Sequence, residues 1–123
     1  MSYLNSWEPK GLHRKFTGHV NGDDILKLNL ELHVDPKFQS IKYIINDFTE
    51  MEDHSIEIAH VDVYAQTDEI ISYTKGKLKI SLVVIQPDHV ELAQYYCDQM
   101  EGKLFECKIF KSVKGARKWV NIE

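Results

Sequence analysis

At 123 residues, 43% hydrophobic and 28% charged, the chain has the size and balance of one domain (1–123) that buries an ordinary core without disulfides or a structural metal. A formal net charge of -4 gives no electrostatic reason to bind nucleic acid, and no window approaches the roughly 18 apolar residues of a membrane span. Residues 1–10 lack the basic and apolar regions of a secretory leader, so a cytoplasmic protein is expected.

The first predicted elements are a hairpin, Tyr3–Trp7 with Leu12–Val20, joined through Glu8-Pro9-Lys10-Gly11, where Pro and Gly sit as a turn requires. Asn21 caps a helix whose first turn holds Asp23 and Asp24. Ile25, Leu28 and Leu32 mark its buried face, with Leu26 and Leu30 widening the stripe up to Asp35-Pro36. Ser40–Thr49 is a strand with β-formers on both faces, as suits a central position. Ser55–Tyr73 fits both a strand and a helix pattern. Helix is preferred, because parallel pairing of Ser40–Thr49 with the next strand, Leu78–Gln86, needs a crossover. Pro87, Asp88 and Gly102 bracket a third helix with Val90, Ala93, Cys97 and Met100 inward. Leu104–Lys111 alternates like a strand near a sheet edge, and Ser112 caps a short last helix that turns Val113, Ala116 and Val120 or Trp119 inward. Cys97 and Cys107 have neither a CxxC motif nor a histidine at ligand spacing and read as reduced core residues. The sum is an α/β domain with a mixed sheet, an N-terminal β-hairpin and about four helices in β-(βα)4 order.

Across essentially its whole length this arrangement resembles the SpoIIAA-like family, also described as the STAS/Sec14-like group. The resemblance rests on the Gly11 turn, the strand ending Phe16-Thr17-Gly18-His19-Val20, and the helix opening Asn21-Gly22-Asp23-Asp24. Tyr43-Ile44-Ile45-Asn46-Asp47 and the late Phe110-Lys111-Ser112 with Ala116 and Trp119 complete it. It implies a bacterial regulatory domain. In the anti-sigma-factor antagonists of the wider group, a loop after the corresponding strand carries Asp-Ser-Ser-Gly, and its second serine is phosphorylated by a partner kinase. Here that stretch is Asp53-His54-Ser55-Ile56: Ser55 matches by position, while His54 stands for the first serine and Ile56 for the glycine.

A phosphate on Ser55 would lie at a helix N-terminus, where free amides favour an anion. Glu50, Glu52, Asp53 and Glu57 surround it with like charge, and Asp53 or Ser55 equally reads as a helix cap. No Lys or Arg occurs between Tyr43 and Thr74, whereas Lys103–Lys118 is basic, so one end of the molecule steers basic partners.

Catalytic and metal readings fare worse. His13 and His19 are about 20 Å apart at strand rise, and His54 and His60 show no ligand spacing. Asp53-His54-Ser55 is not a triad, because adjacent residues seldom converge their side chains. GxGxxG, Walker A, GxSxG and HExxH are all missing from the sequence. No catalytic residue, metal or cofactor is assigned.

The leading reading is a non-catalytic regulatory or protein-interaction module that presents an acidic loop, with Asp47, Thr49, Asp53, His54 and Ser55, to a protein partner. The second is a carrier of a small apolar, lipid-like ligand, by the resemblance to Sec14-like domains, with Ile58, Val61, Tyr64 and Tyr73 lining a groove under a movable helix. The short edge strand with Tyr3, Leu4 and Trp7 also offers a second copy a surface for a homodimer.

Overall fold

A computed structural model describes residues 2–121. Five strands form one sheet whose spatial order equals their order in the chain: β1 (Ser2–Trp7), β2 (Gly11–Val20), β3 (Tyr43–His54), β4 (Leu78–Val83) and β5 (Phe105–Phe110). β1 is antiparallel to β2, and the other three pairings are parallel. Each parallel pair is bridged by a helix: α1 (Gly22–His33), α2 (Ile58–Lys75) and α3 (Pro87–Met100). A final helix, α4 (Val113–Val120), follows β5. A 3-10 turn over Pro36–Ser40 links α1 to β3, its first amide bonded to Asp35. No helix among the described residues is long and apolar enough to cross a membrane.

The hairpin turn closes through reciprocal Glu8 and Gly11 backbone bonds. Gly11 is required by close approach, since a Cβ there would stand 2.3 Å from the Tyr43 ring. Caps read from the sequence are in place: the Asn21 side chain accepts from Asp23 N and Asp24 N, and Ser112 Oγ accepts from Gly115 N.

The sheet separates two cores. Leu12, Phe16, Ile44, Ile80, Leu82 and Phe105 pack under α1, α2 and α3, while Tyr43, Ile45 and Val83 pack under α4 alone. On the three-helix side Phe16 stacks on Phe48 with ring centroids 4.8 Å apart.

Three expectations are corrected here. β3 runs to His54, past the expected end at Thr49, because β2 matches its acidic tail: Lys15 pairs with Glu50 and His19 with Asp53. α2 is capped by neither Asp53 nor Ser55. Its N-cap is Glu57, whose N–H donates to His60 Nδ1 at 2.9 Å. The buried face of α3 is His89, Ala93, Tyr96 and Met100; Val90 and Cys97, expected there, flank it half-buried against the same core, because Tyr96 turns inward to donate to Asp68. Cys97 and Cys107 are free thiols, partly buried, that face each other between α3 and β5. Their contact and burial push the Cys107 thiol far up, out of its reactive range.

Candidate functional site

Side chains alternate along β2 and β3, so Arg14 follows Leu12 and precedes Phe16 on the three-helix face, and Asn46 does the same between Ile44 and Phe48. The parallel register sets Arg14 beside Asn46, with Leu82 next across the sheet. Two polar residues therefore occupy the middle of an otherwise apolar surface.

Arg14 is only 4% exposed. Its Nη1 donates to Asn29 Oδ1 on α1 at 2.9 Å, and its guanidinium lies 5.4 Å from the Phe16 ring centroid. Among the described residues it makes no other hydrogen bond and no ion pair within 4.0 Å. Burial lowers its pKa to about 10, opposed by the charge of Asp68. Asp68, on α2, is occupied elsewhere: it accepts from Tyr96 Oη at 2.5 Å and lies 3.2 Å from His33 Nε2. Burial and the Asp68 charge hold the Tyr96 hydroxyl protonated as the donor. The Asn46 amide has no hydrogen-bond partner among the described residues.

These groups border one cavity of about 110 Å³ between the sheet and α1–α3. Arg14, Asn29, Asn46 and Asp68 give it a polar end, and Phe16, Ile44, Phe48, Met51, Leu82 and Val84 supply apolar wall. Ser81 Oγ, on the other face of the sheet, is the one fully buried side-chain atom without a partner among the described residues, so the uncommitted donors of Arg14 and Asn46 are reachable from the cavity rather than sealed in the core.

The residues singled out from sequence are distributed differently. Val61 and Tyr64 border the cavity from α2, but Ile58 and Tyr73 lie on the outer surface of that helix, 47% and 71% exposed. Asp47 is buried on the opposite face of the sheet. Burial raises its pKa, but hydrogen bonds from Thr49 N–H, Thr49 Oγ1 and His13 Nε2 outweigh that and hold it below the usual carboxylate value. Asp53 is exposed and receives His19 Nδ1 at 2.5 Å. Ser55 is exposed; its N–H donates to Val20 O, and its hydroxyl has no partner among the described residues. The five loop residues thus share no single surface: Asp47 and Thr49 bond each other, Asp53 and Ser55 face outward, and His54 turns toward α3.

His54, Asp88 and His89 bring three metal-type donors within 4.8 Å of one another. His54 Nδ1 accepts the Ile56 N–H at 3.0 Å, so the neutral ring carries its proton on Nε2, the nitrogen 3.6 Å from Asp88 Oδ2. That nitrogen is a donor rather than a ligand, and the cluster fits a metal poorly. It works as a contact between the end of β3 and the start of α3, with the His54 and His89 rings 5.1 Å apart. Burial lowers the pKa of His89, Asp88 opposes, and His54 adds to the lowering.

Arg14, Asn29 and Asp68 escaped the sequence reading. The available signal was positional: Arg14 and Asn46 sit at inward positions of strands whose neighbours two residues away are all apolar.

Superposition on solved structures places this architecture. The anti-sigma factor antagonist SpoIIAA in its unphosphorylated form aligns with a TM-score of 0.63 at 9% identity, over 98% of this chain and 100% of that one. The fold is SpoIIAA-like. An uncharacterised DUF3478-family protein with a SpoIIAA-like fold, from Shewanella loihica PV-4, aligns with a TM-score of 0.55 at 16% identity, over 97% of this chain and 92% of that one. No family model and no curated protein matches the sequence. At these identities the likeness is one of SpoIIAA-like fold, and function must be argued from the residues described above.

Proposed function

We propose that the chain is a non-catalytic regulatory module of SpoIIAA-like fold that takes a small, largely apolar ligand into the cavity under α1–α3. The observation that carries this reading is that a largely apolar cavity is bordered by Arg14 and Asn46, whose side chains keep donors not used by the protein, while Asn29 and Asp68 beside them are hydrogen-bonded. Mostly apolar lining with a few convergent polar groups is the usual make-up of a small-molecule site. No catalytic arrangement accompanies it, since Asp68 and His33 are engaged with each other and the cavity borders no Ser or Cys nucleophile.

Native mass spectrometry of freshly purified protein and thermal unfolding with benzyl alcohol test this. A retained small molecule, or a melting temperature that rises with benzyl alcohol concentration, is the expected outcome. A bare mass with no shift, by benzyl alcohol or by any small apolar acid, overturns it.

A second reading, a protein partner at the β3 end, draws on the exposure of Glu52, Asp53, Ser55 and Glu57. Ser55 has a free hydroxyl, whereas Glu50 and Asp53 are matched by Lys15 and His19, which weakens the acidic field there. Phosphopeptide mass spectrometry on protein from its native host tests it: stoichiometric phosphate on Ser55 supports the switch, and an unmodified Ser55 under several growth conditions removes it.

A further inference from the structure

Resting on the ligand-binding reading above, we infer that the cavity is specific for a small monocarboxylic acid, its carboxylate held by Arg14 and Asn46 and its body no larger than a short branched chain or a single ring. The head follows from the donors. Arg14 contributes a planar fork of N–H groups of which one nitrogen is committed to Asn29, and the Asn46 amide stands beside it in register without a partner. Both ends need acceptors. A carboxylate presents two coplanar oxygens and matches a guanidinium in two parallel bonds, which a hydroxyl cannot do. A tetrahedral phosphate presents more oxygens than these two side chains can serve, whereas a carboxylate presents two.

The one internal carboxylate near Arg14 does not take this place. Asp68 approaches no closer than 4.0 Å to the guanidinium and spends its oxygens on Tyr96 and His33. Arg14 remains charged even with its pKa near 10, so the cavity holds a desolvated cation whose bonding is incomplete. An anion arriving there finds the desolvation of its partner already accomplished, which is how a preorganised site gains selectivity for charge.

The size follows from the volume. A cavity of about 110 Å³ is smaller than the roughly 150 Å³ engineered cavity that admits benzene. The cavity is open on one side, so isovalerate or benzoate can seat its carboxylate inside with part of its body in the mouth. A long acyl chain would leave most of its length uncovered.

Calorimetric titration at pH 7 with isovalerate and benzoate, against isoamyl alcohol, benzyl alcohol and laurate, tests the assignment. Each small acid is expected to bind at least about tenfold tighter than its alcohol, since only the acid makes the charged bidentate contact. Arg14→Met should abolish the advantage of the acid over its alcohol. A native-like circular dichroism spectrum and a cooperative melt show that the variant is folded. Asn46→Leu should narrow the preference for the acid without abolishing it. If acids and alcohols bind equally, or if either variant leaves the ratio intact, the carboxylate assignment is wrong while the ligand-binding reading stands. If laurate binds better than the small acids, the size limit is wrong. If nothing binds, both readings fall together.

Discussion

On the α4 side of the sheet, Glu8 accepts two bonds from Arg117 and one from the Tyr43 hydroxyl, and Asp47 accepts three from Thr49 and His13. On the three-helix side, Arg14 has one bond and Asn46 has none. The same sheet thus carries densely bonded charged groups on one face, where Ser81 Oγ is the one buried side-chain atom among the described residues without a partner, and two sparsely bonded polar side chains beside a cavity on the other. The first face gains ion pairs and hydrogen bonds that hold the fold together, and the second gains little from Arg14 and Asn46.

The largest expected effect lies in the tightly packed face. Ile45 is fully buried under α4, and Ile45→Ala should cost about 2–5 kcal/mol in urea unfolding. A loss below about 1 kcal/mol would mean that this face is not close-packed, and the contrast would fail.

Next comes Glu8→Ala, expected to cost about 1–2 kcal/mol, discounted because Arg117 is partly exposed. Its ionisation gives a pH signature. The hydrogen bond from Arg117 lowers the Glu8 pKa from 4.5, burial opposes, and Tyr43 adds to the lowering. A depressed carboxylate stabilises the fold above its unfolded pKa, and that contribution is lost as pH falls through the folded value. Stability should therefore decline below pH 4.5, and Glu8→Gln should flatten part of the decline; an unchanged profile would show that the Arg117 pairing contributes nothing.

Arg14→Met sharpens the comparison because its sign is opposite. Replacing a buried, incompletely bonded cation by an apolar side chain of similar volume should leave unfolding free energy unchanged or raise it by about 1–2 kcal/mol. Arg117→Met, which removes a bonded partner, should lower it. If both variants lose stability equally, Arg14 is a structural residue and the faces do not differ in kind.

Smallest is Ser55→Ala. Its hydroxyl caps nothing, so the change in stability should stay within about 0.5 kcal/mol. A loss near 1 kcal/mol would restore Ser55 as a helix cap.

Most of the fold was legible because its signals are local: Asn21 and Ser112 cap helices, Pro87 and Gly102 bracket α3, and β2 alternates from Leu12 to Phe16. The acidic stretch at the end of β3 read as a loop because Lys15 and His19, which neutralise it, are distant in sequence and meet it only through register. The same limit hid the site. Arg14 among apolar neighbours looks like an ordinary strand residue until Asn46 is placed beside it, and the cavity exists only when three helices close over that row.

Strand order that equals chain order has a kinetic meaning. Every strand pairs with its neighbours in sequence, so each unit docks on a finished edge and none must be threaded between strands already paired. The cavity, however, needs β2, β3, α1, α2 and α3 together, and α3 ends at Met100. On the proposed ligand-binding role, occupancy would act after the assembly barrier: a bound small acid should slow unfolding and leave the refolding rate unchanged in stopped-flow measurements, setting how long the native state lasts rather than how fast it is reached.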